Sequence, residues 1–214
     1  MRVLGILLAG GHGTRLNAGV PKALVTLGGV TLLERAVATL SDLCHSVSVV
    51  APAGMTLPEV AAGRVPVNRV DDPPGDTGPL GALVAATDAA VCVEAIVMGV
   101  DLPFVTPATL RVMDQYFHGF RTLPDGPCAC VPAPGGVMQP MVALLHATAI
   151  PKLRHAYEAG ERSVAAAMRT LNLLVLDDAH LARLPGGVEA FMNVNAPEDL
   201  VRAEARLRSL AGRA

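Results

Sequence analysis

The stretch Val3-Leu4-Gly5-Ile6-Leu7-Leu8-Ala9-Gly10-Gly11-His12-Gly13-Thr14-Arg15-Leu16, with Pro21-Lys22 just behind it, joins an apolar run to a glycine-rich turn and two cations. The run over Val3–Leu8 predicts a buried strand. The glycines at 10, 11 and 13 free the backbone to curl, so that several N–H groups can point at one anion. Arg15 and Lys22 add positive charge at short range, which a purely structural turn would not need. Together these features suit the phosphates of a nucleoside triphosphate. The spacing is not that of a P-loop, since no G-x-x-x-x-G-K-[ST] string occurs. Nor is it a Rossmann fingerprint: Gly11 and Gly13 begin one, but Leu16 stands where the third glycine belongs.

Working outward, strand-like and helical patterns alternate. A helix is predicted over Leu32–Ser41, with Thr31 and Glu34 spaced as a capping box. A strand over 47–51, a weaker helix over 55–62 and a short strand over 67–70 follow. Gly78-Pro79 opens a helix to about residue 90, with proline suited to the first helical position. A buried strand over 95–100 precedes Thr106-Pro107, which caps the next helix. This alternation predicts an α/β fold with one doubly wound, mostly parallel, Rossmann-like sheet and helices on both faces. Beyond residue 121 the pattern loosens. Strands are predicted over 128–131, 141–145 and Leu173–Leu176, with helices over Ile150–Glu158, 164–171 and from Pro197 onward. The reading is one domain over 1–214: a nucleotide-binding half (1–120), a mixed-strand acceptor or lid region (121–190), and a C-terminal segment and helix that frays toward its end (191–214).

At 214 residues the chain can bury a substantial core, and its apolar share of 51% excludes disorder. No segment approaches the roughly 18 uninterrupted apolar residues of a membrane span. The glycine loop begins within ten residues of Met1, and the expected location is the cytoplasm. A net charge of −2 and 3% aromatic residues argue against a nucleic-acid surface. The expected assembly is a monomer or weak homo-oligomer. Cys44, Cys92, Cys128 and Cys130 lack metal-site spacing and read as free thiols, with Cys128 and Cys130 on one face of a strand. There is no G-x-S-x-G and no H-E-x-x-H, so acyl-transfer and zincin chemistry find no support.

In parallel sheets, ligands sit at the carboxyl ends of the strands. Asp101, in Gly99-Val100-Asp101-Leu102-Pro103, therefore stands out. A carboxylate there is costly unless paired, protonated or bound to a cation, and Mg²⁺ takes oxygen ligands. Asp also caps turns through local hydrogen bonds, and the cationic loop on the neighbouring strand favours the metal. Asp71 and Asp72 form either a solvated turn or an acceptor for a base edge or ribose. Asn193 and Asn195 flank Val194 and point to one side if extended, either toward a metal or as the entry to the helix at Pro197.

The assembled motifs resemble the nucleotidyltransferases of the sugar-nucleotide type, and among them most closely the molybdenum cofactor guanylyltransferases. They comprise L-A-G-G-x-G-T-R-L with Pro21-Lys22, Asp71 seven residues before Gly78-Pro79-Leu80, and Asp101-Leu102-Pro103-Phe104. Gln139-Pro140-Met141, Gly160-Glu161-Arg162-Ser163 and Phe191-Met192-Asn193-Val194-Asn195 with Pro197-Glu198-Asp199-Leu200 complete the set. The resemblance implies transfer of a nucleoside monophosphate from an NTP, GTP foremost, to a phosphorylated acceptor, molybdopterin foremost, with Mg²⁺ and release of pyrophosphate. It implies that Leu8, Ala9, Gly10, Gly11, Gly13, Thr14 and Gly78 surround the nucleotide, that Lys22 contacts its phosphates and that Asp71 helps hold the nucleoside. Arg15, Lys22 and Asp101 are the catalytic candidates. Asp101 is the metal ligand, with Asn193 joining it; Gln139 and Asn195 face the acceptor. Two features differ from the guanylyltransferase pattern. The spacing from Arg15 to Lys22 is longer, and Ala51-Pro52-Ala53 stands where an Asn is expected. CTP as donor therefore stays open, as do sugar-1-phosphate, isoprenoid-precursor and cobinamide-phosphate acceptors and a non-catalytic nucleotide-binding module.

Overall fold

The computed structural model describes residues 3–10, 16, 19–60, 62–90 and 92–212. The glycine-rich strand is β1 (Val3–Leu8). A small hairpin, β2 (Thr26–Leu27) and β3 (Val30–Thr31), leads to α1 (Leu32–Ser41). Then come β4 (Ser46–Ala51), β5 (Val67–Asp71), α2 (Gly78–Ala89), β6 (Glu94–Gly99) and α3 (Pro107–Arg121). The remainder holds β7 (Ala129–Pro132), β8 (Val142–His146), α4 (Ile150–Glu158) and α5 (Val164–Met168). It ends with β9 (Leu173–Leu176), α6 (Asp178–Leu181) and α7 (Pro197–Ala211).

Seven of these strands form one sheet in the order β5-β4-β1-β6-β8-β7-β9. The pairs β4–β5, β1–β4, β1–β6 and β7–β9 are parallel; β8 is antiparallel to both its neighbours. The mixed strands expected past residue 121 are thus built into the sheet itself. β7 and β8 are joined through a 3₁₀ turn over Pro134–Gly136. β1 and β6 lie at the centre and are apolar along nearly their whole length, as strands covered on both faces must be. Alternate residues feed two cores. Leu7, Val47, Val49, Ile96 and Met98 pack with α1, α3, α6 and α7, whereas Leu4, Ile6, Val50 and Val97 pack with α2, α4 and α5. Phe117 and Phe191 are the largest fully buried side chains, both in the first core.

Local signals explain the helix starts. Thr31 accepts from the Glu34 N–H while the Glu34 carboxylate accepts from the Thr31 N–H, closing the predicted capping box. Thr106 and Thr109 do the same for α3.

Two expectations are corrected. Residues 55–60 and 62 are not helical. Pro58 lacks the N–H that a helix interior needs and turns the residue before it away from the α region. The carbonyls of Met55 and Pro52 accept instead from Arg69. Cys128 and Cys130 do not share a face. Cys128 precedes β7, offers its Sγ to the Asn172 carbonyl and joins the α2 side, while Cys130 joins the α1 side. Burial pushes the Cys130 thiol up to about 12, with the Asp114 charge adding to it; burial alone does the same for Cys44. All four cysteines are free. The last helix, α7, is helical through residue 211 and docked through Leu207. Ala203 is buried, Leu207 lies against Gly28, the Glu204 carboxylate accepts from the Gly28 N–H, and the Arg206 guanidinium covers the Phe104 ring.

Candidate active site

The parallel strands β1, β4, β5 and β6 all end at the same side of the sheet, and the segments beyond them converge there. Backbone bonds fix the convergence: Ala9 N–H to Val50 O, Asp72 N–H to Ala51 O, and Val100 N–H to Leu8 O. A cavity of about 600 Å³ opens among them, bordered by Leu8, Gly10, Pro52, Asp72, Thr77 and Met141. That size matches a small-molecule site. Gly10 lies at its edge, where a Cβ would stand 2.6 Å from Asp72 Oδ2 and would push that carboxylate aside.

The cavity wall over 72–78 is held from behind by Arg162. Its Nε donates to the Asp76 carbonyl at 3.0 Å, its Nη1 to the Tyr157 and Glu161 carbonyls, and its guanidinium stacks over the Tyr157 ring. Its own carbonyl accepts from the Leu80 N–H in the first turn of α2. Gly78 starts that helix at a φ of +59°, with a would-be Cβ only 2.7 Å from the Arg162 carbonyl oxygen. The Gly160-Glu161-Arg162-Ser163 motif thereby acquires a physical reason: it fastens the loop that walls the cavity.

Next to the cavity lies a charged group. Lys22 Nζ donates to Asp101 Oδ2 at 3.0 Å and to Asn195 Oδ1. Lys22 sits on a 3₁₀ turn (Lys22–Leu24) after Pro21 and is only 8% exposed. Asp101 follows β6, with Oδ1 folded back over Gly99, and Met141 Cβ borders the same spot. Met141 therefore connects this group to the cavity. The third arm, 193–195, is placed by the Val194 N–H donating to the Asp101 carbonyl at 2.9 Å.

Several sequence candidates thus come together: Leu8, Ala9, Gly10, Lys22, Gly78, Asp101 and Asn195. Asn195, read from sequence as facing the acceptor, is the amide bonded to Lys22; Asn193 lies on the other side of Val194. Asp71 ion-pairs with Arg69 at 2.8 Å on the exposed edge strand, and its neighbour Asp72 borders the cavity. Gln139 is tied by its backbone to Pro132 and Val142, two residues from Met141. Gly11, Gly13, Thr14 and Arg15 lie outside the described residues. The sequence reading left Asp71 and Asp72 undivided, and it gave no role to Met141, the connector, or Arg162, the fastener, although both stand in motifs it quotes.

A second charged group occupies the other end of β6. Glu94, buried, lies beside His118 Nε2 at 3.6 Å, and Asp114 is 3.3 Å from the same nitrogen. This geometry resembles a metal site, but Arg121 reaches both Glu94 (3.3 Å) and His118 Nδ1 (3.1 Å). With Arg121 donating to Nδ1, the ring proton belongs on Nε2. The ring then donates where a metal ligand would need a lone pair. Desolvation holds the Asp114 carboxyl above its usual range, with Glu94 adding to that and His118 and Arg121 opposing it. The group is an ionic network at the amino end of the strand. A concavity of about 450 Å³, bordered by Leu33, Val49, Val60 and Asn68, contains none of the site residues.

Residues 5–173 match the MobA-like NTP transferase domain. The chain belongs to that family. It is a nucleotidyltransferase. Among its relatives, a probable molybdenum cofactor guanylyltransferase of Chloroflexus aggregans is 32% identical over 97% of this chain and 96% of its own. The molybdenum cofactor guanylyltransferase of Rhodobacter capsulatus is 33% identical over 99% and 100%. Among solved structures, the molybdopterin-guanine dinucleotide biosynthesis protein A of Archaeoglobus fulgidus superposes with a TM-score of 0.75 at 22% identity, covering 96% of this chain and 99% of that one. The 2-C-methyl-D-erythritol 4-phosphate cytidylyltransferase of Thermus thermophilus gives 0.69 at 21%, covering 97% and 100%. At these identities the two structures speak for the fold.

Proposed function

We propose that this protein transfers GMP from GTP to the phosphate of molybdopterin and releases pyrophosphate. The observation that carries the reading is the Lys22–Asp101–Asn195 group, joined through Met141 to a nucleotide-sized cavity. GTP and the acceptor come from the names of relatives that match this chain over nearly its whole length.

In this reading an acceptor phosphate oxygen attacks the α-phosphorus in line. The new P–O bond forms as the α–β phosphoanhydride breaks, and the electron pair leaves on pyrophosphate. Such a step needs positioning and charge neutralisation rather than a covalent nucleophile. Gly10 brings the backbone close, the 72–78 wall encloses the nucleoside beside Asp72, and Lys22 neutralises phosphate charge. Arg15, from its place in the motif, offsets charge on the leaving pyrophosphate. Gln139 and the 121–190 region face the acceptor. The oxygen donors Asp101 and Asn195, already gathered around one positive charge, fit Mg²⁺. Bound there, Mg²⁺ would polarise the phosphate oxygens. Four free thiols agree with a reducing, cytoplasmic setting. Among the described residues no helix is long and apolar enough to cross a membrane.

Thermal shift with each NTP and Mg²⁺ tests the donor. A ligand at 100 times its Kd adds about 2.7 kcal/mol of stability. GTP should stand out. A larger shift with CTP would replace guanylyl with cytidylyl transfer, which the amide-free Pro52-Ala53 corner of the cavity would then explain.

A further inference from the structure

The Lys22 ammonium sits where a divalent cation would have to sit. It is bonded to a carboxylate oxygen 79 residues away and an amide oxygen 173 residues away, each from a different segment. Its side chain is 10% exposed and that of Asp101 is 21% exposed, so the pair is shielded, with Met141 between it and the cavity. An ammonium and a hard divalent metal ask the same of a protein, namely oxygen acceptors and compensating negative charge. Both cannot occupy one carboxylate at this range without strong mutual repulsion. Lysine is also suited to change places, being a point charge on a flexible four-carbon stem.

We propose that Lys22 is a placeholder cation. In the nucleotide-free protein it neutralises Asp101 and keeps divalent metal off that carboxylate. The triphosphate draws the ammonium toward its own oxygens, and Asp101 then becomes available to the metal. Asn195 is the positioning residue that fixes the resting place of Lys22. Nucleotide and metal thus raise each other's affinity, reciprocally, through one side chain. This rests on the nucleotidyltransferase reading of the site. It adds that metal binding is gated and that the gate is Lys22.

The test is a Mn²⁺ titration of the full chain without nucleotide, with free Mn²⁺ read by electron paramagnetic resonance. Lys22→Met and Lys22→Gln should each bind one Mn²⁺ about tenfold more tightly than wild type, within the usual span of such couplings. Lys22→Met combined with Asp101→Asn should lose that gain. Unchanged affinity in the Lys22 variants, or a gain that survives Asp101→Asn, overturns the proposal. Circular dichroism and melting check that the variants fold. If neither Lys22 variant folds, wild type decides: protein with GTP must hold Mn²⁺ more tightly than GTP alone in the same buffer, and equal affinities count against the gate. The variant titration contains no nucleotide. A failed NTP panel therefore breaks the proposed function, whereas unchanged Mn²⁺ affinity breaks only the gate.

Discussion

The two ends of β6 carry similar side chains and do different things. At the amino end, Glu94 is sealed in a network with Asp114, His118 and Arg121, all three on α3. At the carboxyl end, Asp101 meets Lys22 and Asn195, which arrive from the two extremes of the chain, and Met141 joins the group to a cavity. Charge and burial alone would not separate them. What separates them is the cavity, the parallel strand ends that converge on it, and a cation on a flexible stem. The amino-end network holds its own cation, a guanidinium engaged with two partners.

If that contrast is right, substitutions at the two ends fail in different assays. The largest effect belongs to the carboxyl end. Lys22→Ala and Asp101→Ala should each lower turnover by about 10²–10³ or more, the usual cost of one charge-stabilising group, with circular dichroism showing the fold retained. Gly10→Ala, whose methyl would collide with Asp72, should raise the KM for nucleotide on the order of tenfold, equivalent to about 1.4 kcal/mol of binding, and lower kcat less. At the amino end, Arg121→Ala should leave kcat within about twofold. Denaturant titration should show a loss of about 1–3 kcal/mol, because Glu94 stays buried without its guanidinium. A large kcat loss there would erase the distinction between the ends.

The smallest effect is at the α1 cap. Thr31→Ala should cost about 1 kcal/mol, the usual price of an N-cap. Hydrogen bonds from the Thr31 side chain and backbone hold the Glu34 carboxyl below its ordinary value. A depressed acid contributes stability above its unfolded pKa and loses it as pH falls through its folded pKa. The difference between Thr31→Ala and wild type, followed by melting, should therefore be full at neutral pH and shrink in acid.

Much of this was legible in the sequence. The apolar runs of β1, β4 and β6, the Thr31/Glu34 box and the Gly78-Pro79 start all announce themselves locally, and with them the sheet and its active edge. Asp101 was legible because a carboxylate ending an apolar run needs a partner. The partner itself was not: Asn195 reaches Lys22 only through the docking of 193–195 on the Asp101 carbonyl, a contact no spacing encodes. β8 reads like any central strand, since apolar periodicity is blind to direction, and its antiparallel insertion follows from the connection over Pro134–Gly136. The β2–β3 hairpin has two residues per strand, too few for any periodicity. The choice between Asp71 and Asp72 depends on which residue Arg69 claims, and that is a fact of the edge strand's register.

The central claim is that the carboxyl end of β6 performs nucleotidyl transfer. Pyrophosphate release, measured with Mg²⁺, molybdopterin and each NTP in turn, tests it most directly when wild type and Asp101→Asn are run side by side. The account predicts release with GTP above the other nucleotides, dependent on the acceptor and reduced at least about a hundredfold in Asp101→Asn. No release with any nucleotide, or undiminished release from Asp101→Asn, would contradict it.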